Sequence, residues 1–478
     1  MTLWTRIASL AAAQPDQPAC IGAGGAYSYK ELLSDVVALA RRIEELMPRD
    51  HVVAVSGQRG YGTLTCLLAC LATGRVYLPL DERWPAHRVD LVVSAAGAAA
   101  VLEVDSDEMV RVVRTSSEGK AAPRPDLGYV IFTSGSTGLP KGVMVEEAVL
   151  EERLVSLTPL FDGCPSVRFV LNTSISFDIS LIELLLPLLV GGTVICPPPL
   201  TTDPRGFASF VTRHGATHMQ GTPSFFRLIE AFALSLPEEL EAWCGGEALD
   251  GRLARRLIDR FHTVRNFYGP TEATIWCTFH TLSSEALDSV GLPFGGTEVL
   301  APGASAEHPS ELILAGHGLA AGYVRPDDDE GRFVELAGYG RAYRTGDLGH
   351  VTPDGKVHVA GRIDHQVKVN GYRLELSEIE SAVESHPQVR QCVAFLVPDA
   401  EEGTSRLAAA YVGDESVSVR ELRAHLRRTL PPYAIPKQLH RMEELPLTTA
   451  GKVDRQLLRS TVAAEPGALR PGVEAVSQ

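Results

Sequence analysis

The sequence predicts an α/β protein with a second, smaller α+β unit, and three observations carry that expectation. Helical and strand patterns alternate along residues 1 to 125, which implies helices layered on a largely parallel sheet. At 478 residues the chain is longer than one hydrophobic core normally serves. At Gly361-Arg-Ile-Asp-His-Gln366 the pattern changes, and the next stretch of roughly 100 residues reads as a separate unit.

Leu3 to Ala13 and Lys30 to Leu46 carry apolar residues at helical spacing. Val52 to Val55 is a short buried strand, Tyr61 to Thr73 a helix that stops near Gly74, and Val76 to Leu80 a strand again. Asp105 to Asp126 is charged and Pro-bearing and reads as a surface connection. Tyr129 to Phe132 is a buried strand, Val143 to Val145 another, and Glu146 to Leu160 a helix. Thr217 to Phe226 and Cys244 to Ala248 are strand-to-loop transitions, and Gly269-Pro270 stops a strand that begins at Thr263. Glu311 to Leu314 is a strand, Gly316 to Tyr323 a Gly-rich turn, and Tyr343 to Leu348 a loop that carries Asp347. Val351 to Val359 turns on Pro-Asp-Gly as a hairpin. Beyond Gln366 come a basic strand pattern, a helix from Ser377 to Ser385, strands near Val389 to Val397 and Leu407 to Val412, and a helix from Ser418 to Leu430. The small-residue, Pro/Gly-rich stretch from 461 to 478 reads as a disordered tail.

Composition excludes several function classes. Apolar residues at 45% and charged residues at 22% are those of a globular chain. A net charge of −15 argues against a nucleic-acid partner, which would require a basic stripe. Eight cysteines without a Cys-x-x-Cys pair suit a reducing, cytoplasmic setting, and Cys66 and Cys70 read as core. His214 and His218 are four apart but lack the intervening Glu and a third ligand, so a zinc site is not expected. Arg6 interrupts the apolar N-terminus, so no signal peptide is expected. Leu184 to Val190 is too short to cross a bilayer, and no membrane partner is expected.

The chemistry concentrates in Thr133-Ser-Gly-Ser-Thr-Gly-Leu-Pro-Lys-Gly142. Gly135 and Gly138 let successive N–H groups face one way, and Thr133, Ser134, Ser136 and Thr137 add hydroxyl donors. Lys141 adds a positive charge, so polyphosphate is the expected guest. A Walker P-loop would need Gly-Lys-Ser/Thr entering a helix, whereas Lys141 leads into a strand. A flexible Ser/Gly linker would not stand between two strongly apolar strands. Asp178 lies in an apolar neighbourhood, where it is either a helix N-cap or the partner of a buried cation. Thr271 with Glu272 could hold Mg²⁺, Glu272 could equally be a solvated surface acid, and Asp347 could accept ribose hydroxyls.

In order and spacing, Phe132 to Gly142, Phe177-Asp-Ile-Ser180, Asn266-Phe-Tyr-Gly-Pro-Thr-Glu272, Tyr343-Arg-Thr-Gly-Asp347, Gly361-Arg-Ile-Asp364 and Gly451-Lys-Val-Asp-Arg455 resemble core motifs of the adenylate-forming superfamily. Leu71 to Asp81 and Leu430-Pro-Pro-Tyr-Ala-Ile-Pro436 narrow the resemblance to amino-acid-activating adenylation domains of nonribosomal peptide synthetases. The resemblance covers roughly residues 1 to 460 and implies a multi-layer core over 1–363 with mixed sheets, a hinge at Asp364, and a small mobile α+β subdomain over 364–460.

It also implies roles. Thr133, Ser134, Gly135, Ser136, Thr137, Gly138 and Lys141 would hold the phosphates of ATP. Gly246, Glu247, Ala248, Asn266, Tyr268, Gly269 and Thr271 would lie around the nucleotide, Asp347 and Arg362 at the ribose. Glu272 would engage Mg²⁺, Asp178 the substrate's α-ammonium, and Lys452 both the substrate carboxylate and the α-phosphate. Gly371 would face the later transfer to a phosphopantetheine thiol. No carrier motif is present in the sequence after the adenylation motifs, so the carrier protein is expected in trans, with an MbtH-like helper as an optional partner.

Matched to the family's motifs, the pocket falls on Asp178, Ile179, Ile182, Gln220, Trp243, Gly245, Phe267, Ile275, Trp276 and Lys452, a series that resembles the glycine-type pocket. Ile182, Trp243, Phe267 and Trp276 would fill the volume a side chain needs. Alanine or another small amino acid is the alternative, because one methyl is worth only about 1–3 kcal/mol by binding alone. An aryl- or acyl-CoA ligase and a non-catalytic nucleotide-binding module are the competing functions. Asp178 opposes the first, and Lys141, Glu272, Asp347 and Lys452 oppose the second.

Overall fold

The helical spacings of the first hundred residues become helices because each has an apolar face to bury. Leu3–Ala13 buries Leu3, Ile7 and Ala11, and Thr2 caps it by accepting from the Thr5 N–H. Tyr29–Leu46 opens on a capping box between Ser28 and Glu31 and buries Leu32, Val36, Leu39 and Ile43. Tyr61–Thr73, with Cys66 and Cys70, is buried nearly all round and ends at Gly74 in the left-handed conformation. The computed structural model describes residues 2–115, 122, 124, 126–135, 139–284, 287, 289–364, 366–369, 371–398, 405–446 and 453–464.

The chain divides into two compact units. One comprises Met1–Glu82, Val93–Phe132 and Gly142–Ile363, the other Arg83–Val92, Thr133–Lys141 and Asp364–Gln478. The first unit holds most of a seven-stranded sheet whose central strands, Val52–Gly57, Val76–Leu80 and Ala100–Val104, run parallel. At its edge Val110–Thr115 pairs antiparallel with Ala100–Val104. That edge strand corrects the expected surface connection after Asp105. Half-buried Val110 and Val112 alternate with exposed Arg111 and Val113 at a period of two, and the arginines at 111 and 114 mask the pattern in a composition reading.

A nine-stranded sheet carries the strands that matter for the site. His218–Gly221, Glu241–Gly245 and Thr263–Tyr268 lie side by side and parallel, with Thr278–Thr281 antiparallel beside the last. A third sheet contains Ser310–Gly316, Gly340–Val351 and Val357–Arg362. Asp347 therefore stands within a long strand, and the expected loop is corrected. Gly346 with φ +72° and a register shift beside Leu348 give this strand an irregularity in place of a break.

The second unit has its own core. Val389–Pro398, Ser405–Gly413 and Gln438–Met442 form its sheet, and Gln366–Val369 with Tyr372–Glu375 forms a hairpin. Leu376–Glu384 is a helix, and Val419–Leu426 ends four residues earlier than expected, ahead of Pro431-Pro432. Arg455–Ala464 is a helix that runs past Thr461, which corrects the start of the expected tail. Leu458 and Val462, each 2% exposed, are buried with Val393, Phe395 and Leu445. The rest of that tail lies outside the described residues. Among the described residues no helix is long and apolar enough to cross a membrane.

Candidate active site

The strand Leu127–Thr133 enters the phosphate loop and Lys141–Glu146 leaves it. A Cβ on Gly135 would stand 1.9 Å from the Leu139 carbonyl oxygen, so the loop folds onto itself where only glycine fits. Ser134 Oγ donates to the Arg373 carbonyl at 2.9 Å. Lys141 is buried at 9% exposure. Ser136, Thr137 and Gly138 lie outside the described residues, as do Gly451 and Lys452.

Asp178 precedes the helix Ile179–Leu189 and is 5% exposed. It makes no side-chain capping bond, so the capping alternative drops out. Its charge helps hold the buried Tyr129 phenol well above its ordinary range, second to burial itself. Behind it the helix is buried from Ile179 to Leu188.

The aromatic positions converge. Phe267 and Trp276 stack with centroids 4.1 Å apart, and Trp243 lies 5.0 Å from Phe267 and 6.2 Å from Trp276. All three are at most 2% exposed, and they share one cluster with Ile179, Ile182 and Ile275. Gly245 lies against them, since a Cβ there would meet Trp276 Nε1 at 3.0 Å and Phe267 Cβ at 3.3 Å. Gly246, at φ +83°, faces Ile179 Cδ1 at 3.5 Å from the same ideal position. The structure thus gathers most of the sequence-predicted pocket around the carboxyl ends of three parallel strands, the usual place for ligands in open α/β sheets.

The Thr271–Ala273 turn holds Glu272, which is 1% exposed and accepts from the Tyr323 hydroxyl at 2.8 Å. The surface-acid alternative is thereby excluded. Thr274 and Ile275 come next at φ +55° and +71°, a left-handed conformation that β-branched residues avoid. Gly269 makes this possible, because its ideal Cβ position is 2.6 Å from Trp276 Cα. Arg153, which no sequence motif marks, ties the turn down. It is 1% exposed and donates to the carbonyls of Phe294 (2.8 Å), Ala273 (3.2 Å) and Gly318 (3.3 Å) and to Thr297 Oγ1 (2.8 Å). Burial holds its guanidinium below the usual arginine range.

The ribose candidates meet. Asp347 accepts from the Tyr268 hydroxyl at 2.6 Å and from Arg362 at 2.5 Å. Tyr268 is pushed well above its ordinary range by burial and by the Asp347 charge. Asn266 Nδ2 donates to the Ser289 carbonyl at 3.3 Å. Glu247 accepts from the Ser224 backbone (3.0 Å) and hydroxyl (2.7 Å), and Ala248 is exposed.

For Mg²⁺ the donor set is decisive. Among the described residues no group of three or more His, Cys, Asp or Glu side chains is arranged to hold a metal. One buried carboxylate nonetheless fits an ion that takes one or two protein oxygens and completes its shell with phosphates and water. Glu272 meets that requirement.

The model of the AMP-binding enzyme family matches residues 7–324, and that of the AMP-binding enzyme C-terminal domain matches 378–452. A dimodular nonribosomal peptide synthase of Bacillus subtilis (strain 168) is 34% identical over 469 residues, 90% of this chain and 20% of that one. The chain thus spans about a fifth of that relative's length. PA1221, a nonribosomal peptide synthetase protein containing adenylation and PCP domains, superposes with a TM-score of 0.82 at 29% identity, over 96% of this chain and 84% of the other. AB3403, a four-domain nonribosomal peptide synthetase bound to AMP and glycine, gives 0.68 at 26% identity, over 95% and 36%. This chain belongs to the AMP-binding enzyme family, with the adenylate-forming fold, and is related to the adenylation domains of nonribosomal peptide synthetases.

Proposed function

We propose that the chain activates glycine as glycyl-AMP with release of pyrophosphate, then passes the glycyl group to the phosphopantetheine thiol of a carrier protein in trans. The observation that carries the choice of amino acid is the ring cluster of Trp243, Phe267 and Trp276, fully buried and packed against Gly245. Rings occupy the volume that a side chain would need. The glycine bound in AB3403 supports the reading, and alanine is the next candidate. The adenylation and PCP domains of PA1221 support a carrier protein as the partner.

In this reading the substrate is its own nucleophile. A carboxylate oxygen bonds to the α-phosphorus of ATP as the bond from that phosphorus to the pyrophosphate oxygen breaks. The protein supplies alignment and charge compensation. Asp178 takes the α-ammonium, the Thr133–Lys141 loop takes the departing pyrophosphate, and Lys452 bridges carboxylate and α-phosphate. Asp347 and Arg362 receive the ribose, Asn266 and the Gly246–Ala248 segment flank the base, and Tyr268 belongs to the nucleotide site. Mg²⁺, when bound through Glu272, neutralises phosphate charge. Asp364 is the hinge of the C-terminal subdomain, and Gly371 faces the thiol-transfer step. The setting is cytoplasmic, with an MbtH-like helper as an optional partner.

ATP–pyrophosphate exchange across an amino-acid panel, with and without such a helper, tests the substrate. Glycine gives the strongest signal and alanine the next, and a bulky amino acid in first place overturns the assignment. Asp178→Ala separates this function from activation of a plain carboxylic acid. Loss of the charge-assisted contact lowers glycine activation by about 100-fold, while a small acid without an amine loses far less. Equal losses would favour a CoA-ligase function.

A further inference from the structure

Glu183 is a buried acid to which the reaction assigns no role. It lies on the helix Ile179–Leu189, one residue beyond Ile182, and is 0% exposed. Its Oε2 accepts from the backbone N–H groups of Asn172 and Thr173, both at 2.9 Å. Its Oε1 accepts from Thr173 Oγ1 at 2.6 Å and Asn172 Nδ2 at 3.2 Å. The orientation of the Gln220 amide that satisfies every neighbour adds another donor. Its nitrogen then reaches Glu183 Oε1 at 2.7 Å and Thr173 Oγ1 at 2.8 Å, and its oxygen accepts from the Gly221 N–H at 3.1 Å. Asn172 Nδ2 closes the network on the Gln220 carbonyl at 2.6 Å.

One carboxylate thus joins three parts of the pocket: the helix that begins after Asp178, the segment that leads from Asn172 towards it, and the strand that carries Gln220. A buried network with every member satisfied holds a single arrangement, and removing one member strands several donors. We infer that Glu183 is a positioning residue for the amino-acid pocket, which fixes Gln220 and the Asn172–Thr173 turn and thereby sets which small amino acids are accepted. This inference rests on the assignment of Asp178 and Gln220 to the pocket.

Glu183→Gln in the full chain tests it, because the substitution keeps the shape but turns an amide nitrogen towards donors. The expected result in ATP–pyrophosphate exchange is an amino-acid KM raised about 10- to 100-fold with the KM for ATP within twofold, and a smaller preference for glycine over alanine. A parallel rise in both KM values, or no change in either, overturns the inference. Thr173→Val removes one hydroxyl from the network and serves where Glu183→Gln fails to fold. It gives a smaller shift in the same direction, and an unchanged glycine-to-alanine ratio counts against the inference. Trp243→Ala separates the two levels. If it changes selectivity while a folded Glu183→Gln does not, the pocket stands and the positioning role fails. If neither changes selectivity, the pocket assignment itself has failed.

Discussion

Glu183 is also the residue whose titration is readable in stability. Burial pushes its carboxyl from the ordinary 4.5 up to about 7, against the pull of the Thr173 and Asn172 hydrogen bonds and the Arg59 charge. The folded state therefore holds this proton more tightly than the unfolded chain does. The resulting stabilisation is fully present below the unfolded value and is lost as pH rises through about 7. Denaturant unfolding at a series of pH values should show the wild type losing stability relative to Glu183→Gln between those limits, by on the order of 3 kcal/mol. A difference that does not change with pH would remove the raised carboxyl from the account. Two other residues at this scale repay comparison. Asp178 kept two readings open in the sequence, and the missing cap bond removed one. Arg153 gave only a weak signal, a single arginine in a helix whose Leu150, Leu154 and Leu157 are buried.

At the scale of elements, the segment from Gly269 to Cys277 carries most of the strain in the site. The Cys277 N–H bonds the Tyr268 carbonyl at 2.8 Å across a backbone approach that leaves no room for a Cβ on Gly269. Gly269→Ala would press on backbone atoms of Ile275, Trp276 and Cys277, none of which can rotate away as a side chain end could. The expected cost is about 1–3 kcal/mol in urea unfolding, with a fall in pyrophosphate exchange as Glu272 and Trp276 are displaced together. An alanine variant with unchanged stability and exchange would show that the turn tolerates the shift. Elements whose apolar spacing matches their burial were legible in the sequence, as in Leu3–Ala13, Tyr61–Thr73 and Val389–Pro398. Val110–Thr115 was not, because half of an edge strand faces solvent and its arginines resemble a loop. Asp347 was misread because Thr-Gly-Asp has turn composition, whereas pairing on both sides made it strand.

The whole molecule adds an organisation that no motif announces. The second unit draws in Arg83–Val92 and Thr133–Lys141 beside the C-terminal chain. Within it Arg88 donates to Glu378 at 2.5 Å, both side chains no more than 7% exposed. Tyr372 stacks on Tyr433 at 3.6 Å, and Trp84 Nε1 donates to the Tyr433 hydroxyl at 3.2 Å. Removing one member of a buried pair leaves the other charge uncompensated. Glu378→Ala should therefore cost about 3–5 kcal/mol in chemical unfolding, and Arg88→Met combined with Glu378→Leu should recover most of it. A cost below about 1 kcal/mol for the single variant would mean that water reaches the pair.

By itself the sequence determined the α/β class, the order of the motifs and the family, and it named the candidate residues for ATP and substrate. These are local properties: periodicity, turn chemistry and the spacing of reactive side chains along the chain. Only the tertiary structure decided that Trp243, Phe267 and Trp276 form one buried cluster, that Asp347 meets Tyr268 and Arg362, and that Glu183 fastens Gln220 to the Asn172–Thr173 turn. Those pairings join residues many positions apart through strand register and close packing. Neither can be read from any one stretch of chain.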